Sequence, residues 1–158
     1  MEYTMKIAGV ERALPLCPLN DKLQIGAFVM FGDVELTVAC AEALLKIAPE
    51  YDVMITAESK GIPLVYEMAR QQGGERYLLA RKAPKLYMRD VLKCEVQSIT
   101  TAAKQVLYLD GYDAAYMKGK RVLIVDDVIS TGESLNALVN LVEQAGGNIV
   151  GKMAVLAE

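Results

Sequence analysis

Val122 to Val125 is an uninterrupted apolar run, Val-Leu-Ile-Val, that passes directly into Asp126-Asp127 and then into the small, hydroxyl-bearing segment Ser130-Thr131-Gly132. A strand without polar alternation has to be covered on both faces, which is the situation of a strand inside a parallel sheet flanked by helices. Beyond it, Leu135, Leu138, Val139, Leu141 and Val142 recur at helical spacing as far as Gly146-Gly147, where the helix should stop. Strand, polar turn and helix therefore follow one another. In an open α/β sheet such turns lie at the carboxyl ends of strands, where ligands bind.

The same order occurs upstream. Tyr51 to Thr56 (YDVMIT) reads as a short buried strand, followed by Glu58-Ser59-Lys60-Gly61 and a helix from Pro63 to Gln72 that ends at Gly73-Gly74. Before it, Leu36, Ala39, Cys40, Ala43, Leu44 and Ile47 mark one face of a helix, with Asp33 placed as N-cap and Pro49 as stop. Tyr77 to Ala80 predicts another short strand, and Glu95 to Thr100 with Gln105 to Leu109 an antiparallel pair. Lys82 to Lys93 is polar and expected to be mobile, and Ile149 to Leu156 supplies the last strand. The expected fold class is α/β, a mostly parallel sheet between helices.

A chain of 158 residues that is 53% hydrophobic can fill one core, so a single domain over residues 1–158 is expected. The net charge of −3 excludes the broad basic surface that nucleic acids or anionic membranes require, and any anion site must be local. No apolar run approaches the roughly 18 residues needed to span a bilayer, and the N-terminus lacks the pattern of a leader. Cys17, Cys40 and Cys94 are far apart in sequence and lack metal or redox spacing, which implies reduced thiols in a cytoplasmic protein. There is no histidine. Ser-His-Asp and Cys-His chemistry is thereby excluded, leaving carboxylates, lysines, arginines and backbone amides.

Ser130, Thr131, Gly132, Glu133 and Ser134 can turn hydroxyls and several backbone N–H groups toward one dianion at a helix N-terminus, where the helix dipole adds its attraction. Asp126 and Asp127 would repel each other unless they share donors or a cation, so a ribose diol and Mg²⁺ suit them. The segment VLIVDDVISTGES resembles the phosphoribosyl pyrophosphate motif of type I phosphoribosyltransferases, in particular the adenine and xanthine branch.

That resemblance implies a type I phosphoribosyltransferase fold with a small N-terminal hood (residues 1–34), a core (residues 35–158) and a flexible β-hairpin loop. Asp126 and Asp127 would hold the ribose hydroxyls, and Ser130 to Ser134 the 5′-phosphate. Glu58, Ser59, Lys60 and Gly61 would form the pyrophosphate loop, with a cis bond at Glu58–Ser59. The stretch Leu79 to Lys85 and the polar residues after it resemble the catalytic loop of the same branch, where Arg81, Lys82 and Lys85 would clamp pyrophosphate and Glu95 would orient the base or handle its proton. Mg²⁺ would be held mainly by the substrate, with Asp126 and Asp127 as further ligands. The implied partners are phosphoribosyl pyrophosphate, a purine base and a second copy in a homodimer. Ser130 stands where hypoxanthine-guanine relatives carry an aspartate, which favours adenine. Leu16 to Asp21 leans toward xanthine, and a non-catalytic sensor of phosphoribosyl pyrophosphate is the alternative from another class.

Overall fold

A computed structural model describes residues 1–96 and 104–157 of the chain. Its centre is a four-stranded parallel sheet in the order β5-β4-β8-β9, built from β4 (Val53–Ala57), β5 (Leu78–Ala80), β8 (Arg121–Ile129) and β9 (Asn148–Ala157). Every residue of β4 is buried, as are Val122 to Val125 of β8. The uninterrupted apolar runs thus lie where both faces of the sheet are covered.

On one face, α4 (Glu133–Ala145) and α3 (Gly111–Met117) pack Leu138, Leu141, Val142 and Met117 onto the strands. Leu107 and Leu109 join them from an antiparallel hairpin of β6 (Leu92–Val96) and β7 (Gln105–Leu109). On the other face, α1 (Val34–Ile47) and α2 (Ile62–Gln71) contribute Leu36, Cys40, Leu44, Leu64, Val65 and Met68. Burying each such aliphatic side chain contributes roughly 1.5–3 kcal/mol.

The N-terminal segment forms a three-stranded antiparallel sheet of β1 (Glu2–Ile7), β2 (Val10–Asn20) and β3 (Leu23–Gly26). Ile7, Leu14 and Phe28 share the core of α1 and α2. Arg12 reaches Asp33 at 2.7 Å, and Asp33 in turn caps α1 by accepting from the Leu36 N–H at 3.1 Å. One aspartate therefore fixes both the start of α1 and its contact with the N-terminal sheet.

Several expectations are refined. The strands β1 to β3 go unread in the sequence: β2 turns Val10, Arg12, Leu14 and Leu16 inward and Glu11, Ala13, Pro15 and Cys17 outward, so a charged residue on the inner face and apolar ones on the outer face blur the alternation. The short helix α3 also goes unread in the sequence; Asp110 caps it, accepting from the Tyr112 N–H at 3.3 Å. β6 starts at Leu92, so Leu92 and Lys93 belong to a strand rather than to the polar connection, and residues 97–100 of the expected strand lie outside the described residues. β8 continues through Asp126 and Asp127 to Ile129 because β9 pairs with it as far as Ile129 opposite Ala157. The acidic pair consequently sits on a paired strand, not in a turn. The three cysteines are free thiols, and no helix among the described residues is long and apolar enough to cross a membrane.

Candidate active site

Two turns meet at the carboxyl ends of β4 and β8. The first is Glu58-Ser59-Lys60-Gly61, in which the Glu58–Ser59 peptide bond is cis. The Glu58 N–H donates to the Ala80 carbonyl at 2.9 Å, and the Gly61 carbonyl accepts from Val65 at 3.0 Å as α2 begins. Gly61 is required by space. A Cβ there would overlap Thr56 Oγ1 and come within 3.3 Å of Asp126 Oδ1. Thr56 is fully buried, and its hydroxyl has no hydrogen-bond partner among the described residues.

The second turn follows Asp126-Asp127. Asp127 is 5% exposed, and its N–H donates to Asp126 Oδ1 at 2.8 Å. Burial first, then the side-chain interaction with Asp127 and that neighbour's charge, push the Asp126 carboxyl up to about 7, while the Asp127 N–H and Lys60 oppose the shift. Gly132 adopts φ 81° at the start of α4, and no side chain among the described residues caps that helix. A left-handed residue costs little only for glycine, and the uncapped first-turn N–H groups leave an acceptor-seeking end. Around this end, Asp126, Val128 and the stretch Ile129 to Leu135 line a cavity of about 60 Å³, room for a group of a few atoms.

A second cavity, about 360 Å³, adjoins the first. It lies between Ile25 to Val29 of the N-terminal segment and Lys60, Asp127, Val128 and Ser130. Its volume falls in the lower part of the range for small-molecule sites. A cavity of about 810 Å³ is larger, but it lies among Pro49 to Met54, Gln72 to Arg76, Tyr116 and Arg121, at the amino ends of the strands. Ligands of open α/β sheets gather at the opposite, carboxyl ends, so the two adjoining cavities are the better candidate despite their smaller size.

The structure brings most of the sequence-derived candidates together. Asp126, Ser130, Thr131, Gly132, Glu133 and Ser134 line the small cavity, and Lys60, Asp127 and Ser130 the larger one. Ser59 and Lys60 are exposed on the intervening turn. Arg81 is turned to Glu58, with Nε 3.1 Å from Oε1, and donates to the Tyr87 hydroxyl at 3.0 Å. The Lys82 N–H donates to Glu58 Oε2 at 2.9 Å. Lys85 is partly buried near the same carboxylate. Glu95 stands apart: it is exposed on β6, 3.7 Å from Lys104, and lines neither cavity.

Three contributors go unnoticed in the sequence. Thr56 is the one hydroxyl at the end of an apolar strand, a signal that could have identified it. Tyr87 matters only through Arg81, across six residues. Ile25 to Val29 read as an ordinary apolar run, and only the folded chain places them over Asp127.

A parallel sheet between helices, with an acidic strand end leading into a glycine-opened helix and a separate N-terminal sheet beside it, is the architecture of type I phosphoribosyltransferases. The chain belongs to the phosphoribosyl transferase domain family, which matches residues 35–158, and it is accordingly a phosphoribosyltransferase, an enzyme. Hypoxanthine/guanine phosphoribosyltransferase of Methanococcus maripaludis is 30% identical over 155 residues, covering 93% of this chain and 80% of its own length. The enzyme of that name from Methanosarcina acetivorans is 34% identical over 125 residues, covering 78% of this chain and 62% of its own. Among solved structures, adenine phosphoribosyltransferase of Saccharomyces cerevisiae superimposes with a TM-score of 0.76 at 24% identity, covering 92% of this chain and 84% of that one. That of Rhodothermus marinus gives a TM-score of 0.71 at 26% identity, with coverages of 92% and 94%.

Proposed function

We propose that this enzyme transfers the 5-phosphoribosyl group of phosphoribosyl pyrophosphate to a ring nitrogen of a purine, adenine first, and releases pyrophosphate. The observation that carries the reading is the adjacency of the two cavities at Asp126-Asp127. One is sized for a phosphate at a helix N-terminus, and the other for a base under the N-terminal sheet. The ribose would span the acidic pair between them.

In this reading Asp126 and Asp127 accept from the ribose hydroxyls, and the N–H groups and hydroxyls of Ser130 to Ser134 receive the 5′-phosphate. Lys60, Lys82 and Lys85 face the pyrophosphate as its bond to the anomeric carbon breaks and the bond from the purine nitrogen forms. The ring proton leaves to solvent or to the departing pyrophosphate. Glu95 takes part only after the hairpin closes, exchanging Lys104 for the base. Catalysis is then mainly positioning and electrostatics.

Mg²⁺ fits the pair of adjacent carboxylates, one of them raised to about 7 mainly by burial, since a hard cation with oxygen ligands favours the ionised pair. No group of three or more ligating side chains converges among the described residues, and in this reading the substrate brings most of the ion's ligands. When bound, the ion neutralises the leaving pyrophosphate.

Ser130 favours adenine because a hydroxyl cannot take a ring proton near neutral pH as a carboxylate can. The second reading, hypoxanthine or guanine, is favoured by the names of the relatives at 30% and 34% identity. Pyrophosphate release measured with adenine, hypoxanthine, guanine and xanthine decides among them. Adenine is expected to give the highest kcat/KM. Faster turnover of hypoxanthine or guanine would remove the Ser130 argument and leave the transfer reading standing, whereas binding of phosphoribosyl pyrophosphate without release for any base would identify a sensor.

The proposal includes residues 1–158 acting as one unit in the cytoplasm, and a homodimer. Support for the dimer is an exposed apolar face. Val34 is 75% and Tyr66 58% exposed, and with Met30, Val38 and Pro63 they line a groove of about 220 Å³ between α1 and α2. Sedimentation should give twice the chain mass at micromolar concentration, and a monomer would contradict it.

A further inference from the structure

Glu58 begins the turn that carries Lys60, yet a carboxylate is a poor direct ligand for pyrophosphate, because like charges at short range disfavour each other. Its own contacts point elsewhere. Oε2 accepts from the Lys82 N–H at 2.9 Å, and Oε1 lies 3.1 Å from Arg81 Nε. The Nε contact is an ion pair rather than an aligned hydrogen bond, as that nitrogen has no hydrogen-bond partner among the described residues. The amide of Lys82 foremost, and then Arg81, hold the Glu58 carboxyl below its usual range against the opposing effect of burial.

Arg81 extends the connection. Its Nη1 donates to the Tyr87 hydroxyl at 3.0 Å, and its backbone exchanges two hydrogen bonds of 2.8 Å with Tyr108 of β7. One carboxylate therefore joins the turn bearing Lys60, the segment bearing Lys82 and Lys85, and the hairpin. Both members of the ion pair are only 23% exposed, so solvent and salt screen it less than a surface pair.

We propose that Glu58 is a positioning residue that holds the Arg81 side chain and the Lys82 amide, fixing the root of the Lys82–Lys85 segment beside the Lys60 turn without itself touching pyrophosphate. The proposal rests on the phosphoribosyl-transfer reading above and replaces a substrate contact for Glu58 with an indirect role.

The test is calorimetric binding of inorganic pyrophosphate and of ribose 5-phosphate, with Mg²⁺ present, to the full chain and to E58A, E58Q, R81A and E58A/R81A. In E58A, pyrophosphate affinity should fall about tenfold while ribose 5-phosphate stays within about twofold of the parent, a split that general loss of structure would not produce. Glutamine keeps an acceptor for the Lys82 N–H, so E58Q should fall between the two. E58A/R81A should be no weaker than R81A alone, since the residues act as one unit. Tighter or unchanged pyrophosphate binding in E58A would overturn the proposal, as would additive losses in the double variant or equal weakening of both ligands in E58Q. A parent protein that binds neither ligand would instead sink the transfer reading itself and the positioning role with it.

Discussion

Replacing Asp126 and Asp127 together by asparagine is expected to weaken binding of phosphoribosyl pyrophosphate about a hundredfold while leaving the protein folded. Hydrogen bonds to charged groups contribute roughly 1.5–3 kcal/mol each, so losing the charge at two acceptors should cost about 3 kcal/mol or more, and 1.4 kcal/mol is about tenfold in Kd. Asparagine keeps the shape of each side chain and keeps an oxygen for the Asp127 N–H that Asp126 now accepts.

The pH dependence separates this outcome from simple damage. The Asp126 carboxyl is raised in the folded protein from 3.8 to about 7. Folding therefore favours its protonated form, and the stability from this group is complete below about 3.8 and lost as pH rises through about 7. The double variant lacks that loss, and should melt no lower than the parent on the alkaline side of about 7. Ligand binding has the opposite slope, because ribose and Mg²⁺ favour the ionised pair: affinity in the parent should tighten as pH rises through the same region, and in the variant it should not. Calorimetric titration and melting curves across that interval measure both. Unchanged affinity in the variant would remove the main support for the site.

Gly61→Ala should lower kcat/KM by about a hundredfold or more, although it adds a single methyl group. The conformation is not the obstacle, since Gly61 has φ −78°. The obstacle is Thr56 Oγ1, which that methyl would overlap, with Asp126 Oδ1 at 3.3 Å beyond it. Thr56 cannot withdraw, being fully buried in β4 and paired to Leu79 of β5. The turn must move instead, carrying Lys60 away from Asp126, and a displacement of about 1 Å in a positioning element can cost ~10²-fold. Overpacking of this kind destabilises by roughly 1–3 kcal/mol, which a melting curve should also register. Adding Thr56→Ala removes the overlap and leaves the remaining neighbours near ordinary contact, so T56A/G61A should recover at least about tenfold of the loss. Steady-state kinetics on the two variants is the check: wild-type kcat/KM in G61A would show that the turn does not couple to Asp126.

The sequence by itself determined the frame of the site. Two short apolar-rich runs, Tyr51 to Thr56 and Val122 to Val125, read as buried strands, the second covered on both faces, and each delivered a polar turn to the start of a helix. Local chemistry was enough for this, because strand, turn and helix in such a unit are contiguous and their signals are short-range. Asp33 and Gly146 likewise marked helix ends through hydrogen bonds to neighbours three or four residues away.

Tertiary structure alone decided how far β8 runs and what surrounds its acidic end. Pairing with β9 carries the strand through Asp126 and Asp127 to Ile129, and no local signal predicts that partner. The closeness of Thr56, Gly61 and Asp126 joins residues as much as 70 positions apart, and the Glu58–Arg81 pair bridges 23. The cavity under Ile25 to Val29 exists only because the N-terminal sheet shares a core with α1 and α2. The physical reason is the same in each case. Burial and ion pairing depend on which distant surfaces meet, and a strand's periodicity reports only that some surface must cover it.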